Sequence, residues 1–253
     1  MKIQLVWENT TYSADLSQPQ SIAITLRSNQ ENPNCYYADA PTNETIRAGS
    51  FVGSVAEGGT VNYTRLSLTP HGNGTHTECY GHISADANAT LDRCLQQFSF
   101  VAQLISVAPQ ATENGDFVVL LDEIKKAMSG TRCQALVIRT LPNISAKLNR
   151  EYSGSNPPYL EPTVGAWLAE QNIAHLLVDL PSVDREQDNG VLSVHKGFWQ
   201  YPHNTRKDAT ITELVFVNDA IEDGLYLLQL QVPKLAIDAA PSQPVLYGLF
   251  EAK

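Results

Sequence analysis

Residues 71–82 read HGNGTHTECYGH, a stretch that concentrates side chains able to bind divalent metals. Three of the six histidines of the chain, His71, His76 and His82, lie here with Glu78 between them. Imidazole and carboxylate groups are natural ligands of borderline divalent metals. If residues 75–78 are extended, His76 and Glu78 project from the same face of a strand and can hold one ion together. The alternative is a polar surface loop whose histidines only form hydrogen bonds, but this density of histidines favours a metal site.

The amino-acid composition predicts one compact, folded domain over residues 1–253. Hydrophobic residues make up 43% of the chain and charged residues 17%, so folding can bury enough apolar surface to offset the loss of conformational entropy. The 27 acidic and 17 basic residues give a formal net charge of −10. We therefore expect no nucleic acid or anionic membrane surface as a partner, because both carry the same sign of charge.

Several sequence features bear on the cellular compartment. No window approaches the ~18 uninterrupted apolar residues of a membrane-spanning helix. The opening MKIQLVWENTTYS has neither the basic flank nor the apolar run of a signal peptide. We expect a cytoplasmic protein. Its four cysteines form no CxxC pair and are too sparse for a disulfide framework, so free thiols are expected at Cys35, Cys79, Cys94 and Cys133.

Strand-like segments outnumber helical ones. Helices are predicted over residues 122–128, after a cap at Thr163, and near His195. Because these helices fall between strands, the sequence favours the α/β class, mixed α+β, with a central mixed sheet. Long surface loops are predicted at residues 29–43 and 149–162. Apolar, β-branched or aromatic runs predict strands at residues 3–7, 21–26, 98–107, 117–121, 135–138, 175–178, 225–232 and 245–250.

The histidine-rich stretch resembles the HxGTHxDxPxH signature of the cyclase family of metal-dependent hydrolases, which includes kynurenine formamidase and isatin hydrolase. Here residues 74–76 supply GTH, Glu78 stands for the aspartate, Tyr80 for the proline, and His82 is the last histidine. Asn73 is an extra residue, which places His71 five positions before His76 rather than four. Further segments resemble the family in the expected order: DLS at 15–17, DLPSVD at 179–184, SVHK at 193–196, ITEL at 211–214 and PSQPV at 241–245.

The resemblance implies a swivelling β/β/α fold, a homo-oligomer, and a site for two divalent metal ions, zinc or manganese. By the same resemblance, His71, His76 and Glu78 hold one ion, while Glu78, His195 and Glu213 hold the other. Glu78 can serve both because a carboxylate has two oxygens.

Three further side chains require separate consideration. Glu213 alternates with Ile211 and Val215 on one expected strand face, where a charge is costly unless it is paired or bound to metal. His203 is an alternative to His195 as a ligand of the second ion. His175, inside an apolar run, is interpreted as a core histidine with its hydrogen bonds satisfied.

The resemblance implies hydrolysis of a C–N bond in a small-molecule amide, either an aryl formamide or a cyclic amide. In this hypothesis water whose pKa the metal lowers from about 15.7 towards ~7 attacks the amide carbonyl. His82 is assigned as general acid/base and not as a ligand, because an imidazole with a pKa near ~6.5 can accept and return a proton at neutral pH. The alternatives are a ring-closing or dehydrating cyclase of the same family, a metal-binding protein with altered catalysis, and a single-iron oxygenase. A planar substrate could contact an aromatic wall drawn from Trp7, Tyr36, Tyr37, Trp199 and Tyr201.

Overall fold

The computed structural model of the chain describes residues 1–28, 31–128 and 130–252. The first two residues of the predicted loop 29–43 lie outside this part. The α-helices within it are α1 (Pro70–Asn73), α2 (Leu91–Cys94), α3 (Leu121–Ala127), α4 (Val164–Glu170) and α5 (Ser193–Trp199). The strands are β1 (Lys2–Trp7), β2 (Thr10–Asp15), β3 (Gln20–Ser21), β4 (Thr42–Thr45), β5 (Arg47–Ala48), β6 (Phe51–Val52), β7 (Thr64–Ser67), β8 (His76–Glu78), β9 (Ser99–Val107), β10 (Gln110–Ala111), β11 (Phe117–Val119), β12 (Ala135–Thr140), β13 (Tyr159–Leu160), β14 (His175–Val178), β15 (Thr210–Glu213), β16 (Gly224–Gln231), β17 (Ala239–Pro241), β18 (Gln243–Gly248) and β19 (Phe250–Glu251).

A nine-stranded mixed sheet forms the centre of the fold, in the order β17-β8-β15-β14-β12-β9-β16-β18-β3. The four strands β15, β14, β12 and β9 are parallel to one another. Antiparallel strands extend the sheet on both sides. On one side β8 and β17 lie beyond β15, and on the other side β16, β18 and β3 lie beyond β9. The mixed α+β class with a central mixed sheet is confirmed, and the swivelling β/β/α architecture is the fold of this chain.

The central parallel strands β12 and β14 are largely apolar, because both of their faces are covered. Every residue of β12 and of β14 is buried, as is typical of parallel strands with layers packed on each side. The largest cluster of buried residues extends from Tyr12 to Leu249. None of the described helices is both long and apolar enough to cross a membrane.

Two glycines allow α4 and α5 to pack closely. A Cβ atom on Gly165 would lie 2.1 Å from the carbonyl oxygen of Val194, and one on Gly197 would lie 2.8 Å from the amide nitrogen of Ala166. The helices meet at backbone distance, which only glycine permits. This contact fixes the position of α5, which carries His195.

Most predicted strands and helices are present, with corrections at their ends. Within residues 21–26 only a short strand end and an isolated bridge at Ala23 form, and the run 245–250 is split between β18 and β19. The strand that carries Glu213 ends there, because Leu214 has a φ of 55°, so Val215 does not continue it. Thr163 occupies the N-cap position of α4, but its hydroxyl donates to Glu161 instead of capping the helix.

Candidate metal centre

The pairing of β8 with β15 brings three of the predicted ligands to one face of the sheet. Glu213 lies opposite His76, and Glu78 lies two residues further along β8 on the same face. All three side chains are buried. The neighbouring residues Thr77 and Thr212 point to the other face of the sheet, where their hydroxyls are 2.8 Å apart. The predicted extended conformation of His76–Glu78 is therefore present, and it directs both side chains towards Glu213.

His71 reaches the same cluster from α1. Its Nδ1 lies 3.2 Å from Oε2 of Glu78. The single helical turn absorbs Asn73, the extra residue between His71 and His76. The side chain of Asn73 turns away to accept from the backbone of Thr69 and to donate to the carbonyl of Asp39.

His195 enters the cluster from α5. Its Nε2 is 3.1 Å from Oε1 of Glu78 and 3.9 Å from Oε1 of Glu213. Asp184 orients the ring, since its Oδ2 lies 2.7 Å from Nδ1 of His195. The same carboxylate accepts from the backbone N–H groups of Val194 and His195 and so caps the helix from a distant loop.

His82 and Asp238 complete the cluster. Oδ2 of Asp238 is 3.0 Å from Nε2 of His71 and 3.8 Å from Nδ1 of His82. Asp238 is a residue of the cluster that the sequence did not indicate, because it precedes β17 in a loop without periodicity. The only nearby signal is the family-like segment 241–245, and the strand pairing of Ala239 with Glu78 brings Asp238 to the site.

Three histidines share one pattern of contacts at their two ring nitrogens. In each ring one nitrogen, called the outer one here, points away from Glu78 and Glu213 and lies close to another oxygen. Nε2 of His71 is 3.0 Å from Asp238, Nδ1 of His195 is 2.7 Å from Asp184, and Nδ1 of His76 is 2.9 Å from the carbonyl of Gly74. Their inner nitrogens face Glu78 or Glu213. Metal-binding histidines are oriented in this way, because a hydrogen bond at one nitrogen fixes the tautomer and leaves the other nitrogen as the ligand.

The cluster favours positive charge. Burial alone lowers the pKa of His71 and of His195, but the carboxylates of Asp238 and Glu78 beside the first, and of Asp184 and Glu78 beside the second, raise both values to about 10. Burial likewise raises the pKa of the Glu78 carboxyl, but His82 and His195 hold it well below its usual range. The electrostatic field that stabilises protons here would also stabilise a divalent cation.

Two buried polar atoms at the centre of the cluster lack a hydrogen bond to any described part of the chain and could instead bind a metal ion. Among the described residues, neither Nε2 of His76 nor Oε2 of Glu78 has a hydrogen-bond partner. Such unpaired buried groups are costly unless something else binds them. Ligand atoms that lie within 4.8 Å of one another form three groups: His71, His76 and Glu78; Glu78, His82 and His195; and His71, His82 and Asp238.

The first of these groups is the predicted first set of ligands. The second contains His82 in place of Glu213, although Glu213 Oε2 is also 3.4 Å from Nε2 of His76. His203 lies in an exposed turn after α5 and belongs to none of the described groups. His175 is buried against Phe100 with its Nδ1 2.8 Å from the hydroxyl of Thr210. This agrees with its interpretation as a core residue.

A cavity of about 310 Å³ opens onto the cluster. His71, His82, His195 and Glu213 line it. Of the aromatic residues considered for a wall, Tyr36 alone is among its lining residues, which are all in the described part of the chain. Trp199 is fully buried behind His195, with its ring centroid 5.5 Å from the imidazole.

The chain is similar to curated and structurally characterised proteins. It is 28% identical over 195 residues to the kynurenine formamidase of Bacillus cereus, covering 76% of this chain and 83% of that protein. It is also 28% identical over 192 residues to the kynurenine formamidase of Bacillus anthracis, covering 76% of this chain and 81% of that protein.

Solved structures share the fold at lower sequence identity. Isatin hydrolase A from Labrenzia aggregata, bound to benzyl benzoate, has a TM-score of 0.65 at 15% identity, covering 90% of this chain and 93% of that one. A potential metal-dependent hydrolase with cyclase activity has a TM-score of 0.65 at 16% identity, covering 91% and 97%.

The family model described as "Putative cyclase" matches residues 14–185. This range includes the histidine-rich stretch and Asp184, while His195, Glu213 and Asp238 lie beyond it. Because the match covers more than half of the 253 residues, the chain belongs to the cyclase family.

Proposed function

We propose that this chain is a metal-dependent hydrolase that cleaves the C–N bond of a small amide, either an aryl formamide or a cyclic amide. The observation that carries the proposal is the arrangement of His71, His76 and His195, each bound to an oxygen at its outer nitrogen and facing Glu78 or Glu213 with its inner one. The kynurenine formamidases among its relatives support the formamide. The isatin hydrolases, which share its fold, keep the cyclic amide within the proposal.

The ligand geometry supports two adjacent positions for zinc or manganese. His71, His76 and Glu78 would hold one ion, and Glu78, His195 and Glu213 the other. The two oxygens of Glu78 face different histidines, Oε2 towards His71 and Oε1 towards His195. A carboxylate placed in this way suits a bridge between two ions.

Proton transfer in the proposed reaction falls to His82. When bound, a divalent cation acidifies water and polarises the carbonyl of the amide. His82 lines the cavity, and its side chain is 32% exposed. Its Nδ1 is 3.7 Å from Oε2 of Glu78, which is longer than a normal hydrogen bond. An imidazole without a fixed outer acceptor can take a proton from water and deliver it to the departing nitrogen.

Two measurements test the proposal. The first is hydrolysis of N-formyl aryl amines, cyclic amides and ureido compounds by the metal-loaded protein, with chelator-treated protein as the control. The second is elemental analysis of the protein. We expect chelator-sensitive hydrolysis of an amide and two zinc or manganese ions per chain.

Other results would contradict the proposal. A single iron per chain with oxygen-dependent turnover would indicate an oxygenase. Bound metal without hydrolysis of any amide in the panel would indicate a metal-binding protein with altered catalysis, and ring closure or dehydration without hydrolysis would indicate a cyclase.

A further inference from the structure

The loop of residues 34–38 is held against the metal centre from two sides. The backbone N–H of Cys35 donates to the carbonyl of Gly72, in α1, at 3.0 Å. On the other side Asn34 forms two backbone hydrogen bonds, donating to the carbonyl of Arg150 and accepting from the N–H of Tyr152. Three backbone groups on neighbouring segments thus restrict where this loop can place its residues.

Tyr36 and Tyr37, at the tip of this loop, both have a left-handed backbone conformation with φ values of 54°. This conformation is unfavourable for bulky residues, and two in succession persist only where the surroundings impose them. One such constraint is visible, since the N–H of Tyr37 donates to the hydroxyl of Ser153 at 2.9 Å. Strain of this kind occurs preferentially at functional sites.

The strained turn sends the two tyrosine side chains in different directions. Tyr36 lines the cavity together with His82 and Glu213, and its hydroxyl is within hydrogen-bonding reach of Ser182. Tyr37 is 77% exposed, and its hydroxyl lies outside the cavity, next to Gly154. Tyr36 is itself 46% exposed, so the loop places one phenol at the open side of the cavity and the other on the surface.

The cavity has few side-chain donors for an amide oxygen. Its carboxylates can only accept, and its histidines are assigned to metal binding and proton transfer. The guanidinium of Arg185 is directed to both oxygens of Asp116 and to the carbonyl of Gln187. Ser182 accepts from the N–H of Asp184 and can donate its own proton to the hydroxyl oxygen of Tyr36, which leaves the phenol proton of Tyr36 to face the open space.

We propose that the hydroxyl of Tyr36 donates a hydrogen bond to the carbonyl oxygen of the bound amide, and that this hydrogen bond becomes stronger as the oxygen gains negative charge during the reaction. This makes Tyr36 a catalytic residue of the reaction proposed above, on which the inference rests. Tyr36 keeps its proton throughout, so no bond to it forms or breaks. A tyrosine phenol is protonated at neutral pH, and partial burial and the nearby carboxylate of Glu213 raise the pKa of Tyr36 further.

The test compares Tyr36→Phe with Tyr37→Phe, two variants that each lose one hydroxyl from adjacent residues of the same loop. Both are prepared as full-length, metal-loaded protein, and kcat, KM and metal content are measured on an amide that the wild type hydrolyses. Loss of one donor to a developing oxyanion typically lowers kcat by about 10²–10³-fold. We expect a fall of roughly this size in Tyr36→Phe, with KM changed less than about threefold and metal content unchanged, and wild-type kinetics in Tyr37→Phe.

A second measurement does not depend on turnover. A tetrahedral phosphonate analogue of the same amide should bind Tyr36→Phe more weakly than the wild type, by a factor close to the fall in kcat, because the analogue mimics the charged oxygen. Tyr37→Phe should bind it as the wild type does.

The outcomes separate this inference from the proposed function. If the wild type is active and the kcat of Tyr36→Phe is within twofold of the wild-type value, or if Tyr36→Phe loses its metal, the role of Tyr36 is overturned but the proposed function is not. A metal-loaded wild type that hydrolyses no amide overturns the proposed function, and the role of Tyr36 with it.

Discussion

Glu213 lies directly opposite His76 in the antiparallel pair of β15 and β8, with its Oε2 3.4 Å from Nε2 of the imidazole. The relationship is set by backbone register, since a slip of one residue in either strand would turn that strand's side chain to the face occupied by Thr77 and Thr212 and separate the pair. Side chains held on strands of a central sheet are positioned more rigidly than side chains on loops. The sheet itself therefore positions the side chains of the candidate metal centre.

Replacing Glu213 by Gln should release metal. The amide keeps an oxygen that can accept the N–H of Val183, as Oε1 of Glu213 does at 2.9 Å, but it loses the negative charge. Because loss of even an outer partner of a ligand weakens metal affinity by about 10–100-fold, we expect a loss of at least about 100-fold here. Elemental analysis after dialysis against a dilute chelator measures it.

The control is Glu170→Gln, at the exposed end of α4, which should retain its metal. Full metal content in Glu213→Gln would contradict its assignment as a ligand.

Replacing His82 by Gln separates proton transfer from metal binding. If His82 acts as general acid/base, the variant should keep its metal and lose turnover by about 10²–10⁴-fold. The measurement is kcat together with metal content. Loss of metal would instead make His82 a ligand, as its grouping with Glu78 and His195 permits. His203→Gln, in the exposed turn after α5, serves as the matched control and should match the wild type in both.

Apolar periodicity predicted the segments that the core covers and failed where no face is buried. The strands β12 and β14 contain the unbroken apolar runs 135–138 and 176–178, and both were located within two residues. The hairpin of β4 and β7 was not predicted, because nearly all of its residues are exposed and its sequence carries no apolar stripe. Short strands of this kind depend on pairing, which local sequence does not encode.

In the candidate site, too, the sequence indicated some residues and not others. His71, His76, Glu78 and His82 could be grouped from one dense motif, but the motif says nothing of what holds the rings. Asp238 follows no periodic segment, and its approach to His71 depends on β17 pairing with β8. Long-range pairing of this type follows from the assembled sheet rather than from the residues around Asp238.

Asp238→Ala should weaken metal binding through His71. The carboxylate holds Nε2 of His71 at 3.0 Å, and removing such an outer partner typically costs about 10–100-fold in metal affinity or activity. Its side chain is 42% exposed, so little change in the free energy of unfolding is expected. Competition with a chromogenic chelator measures the affinity. Asp122→Ala, on the exposed face of α3, should leave it unchanged, and an unchanged affinity in Asp238→Ala would show that His71 needs no outer partner.

His175 should make the protein less stable in mild acid. Burial lowers the pKa of this histidine to about 4, while in the unfolded chain it is about 6.5. Between these values the unfolded state binds the extra proton, so stability is undiminished above about pH 6.5 and falls as the pH drops towards 4. From pH 7.5 to pH 5 the loss due to this residue is about 2 kcal/mol. Urea unfolding at the two pH values, in excess chelator so that metal release does not contribute, measures the total loss.

His175→Asn isolates the contribution of this one residue. Asparagine can still contact the hydroxyl of Thr210, which lies 2.8 Å from Nδ1 of the histidine, but it does not titrate in this range. The smaller side chain leaves space beside Phe100 and should lower stability at both pH values alike. All other titrating groups are common to the two proteins, so the wild type should lose about 2 kcal/mol more than the variant on acidification. An equal loss in both would show that His175 is protonated in the folded core, which its burial between β9, β12 and β15 argues against.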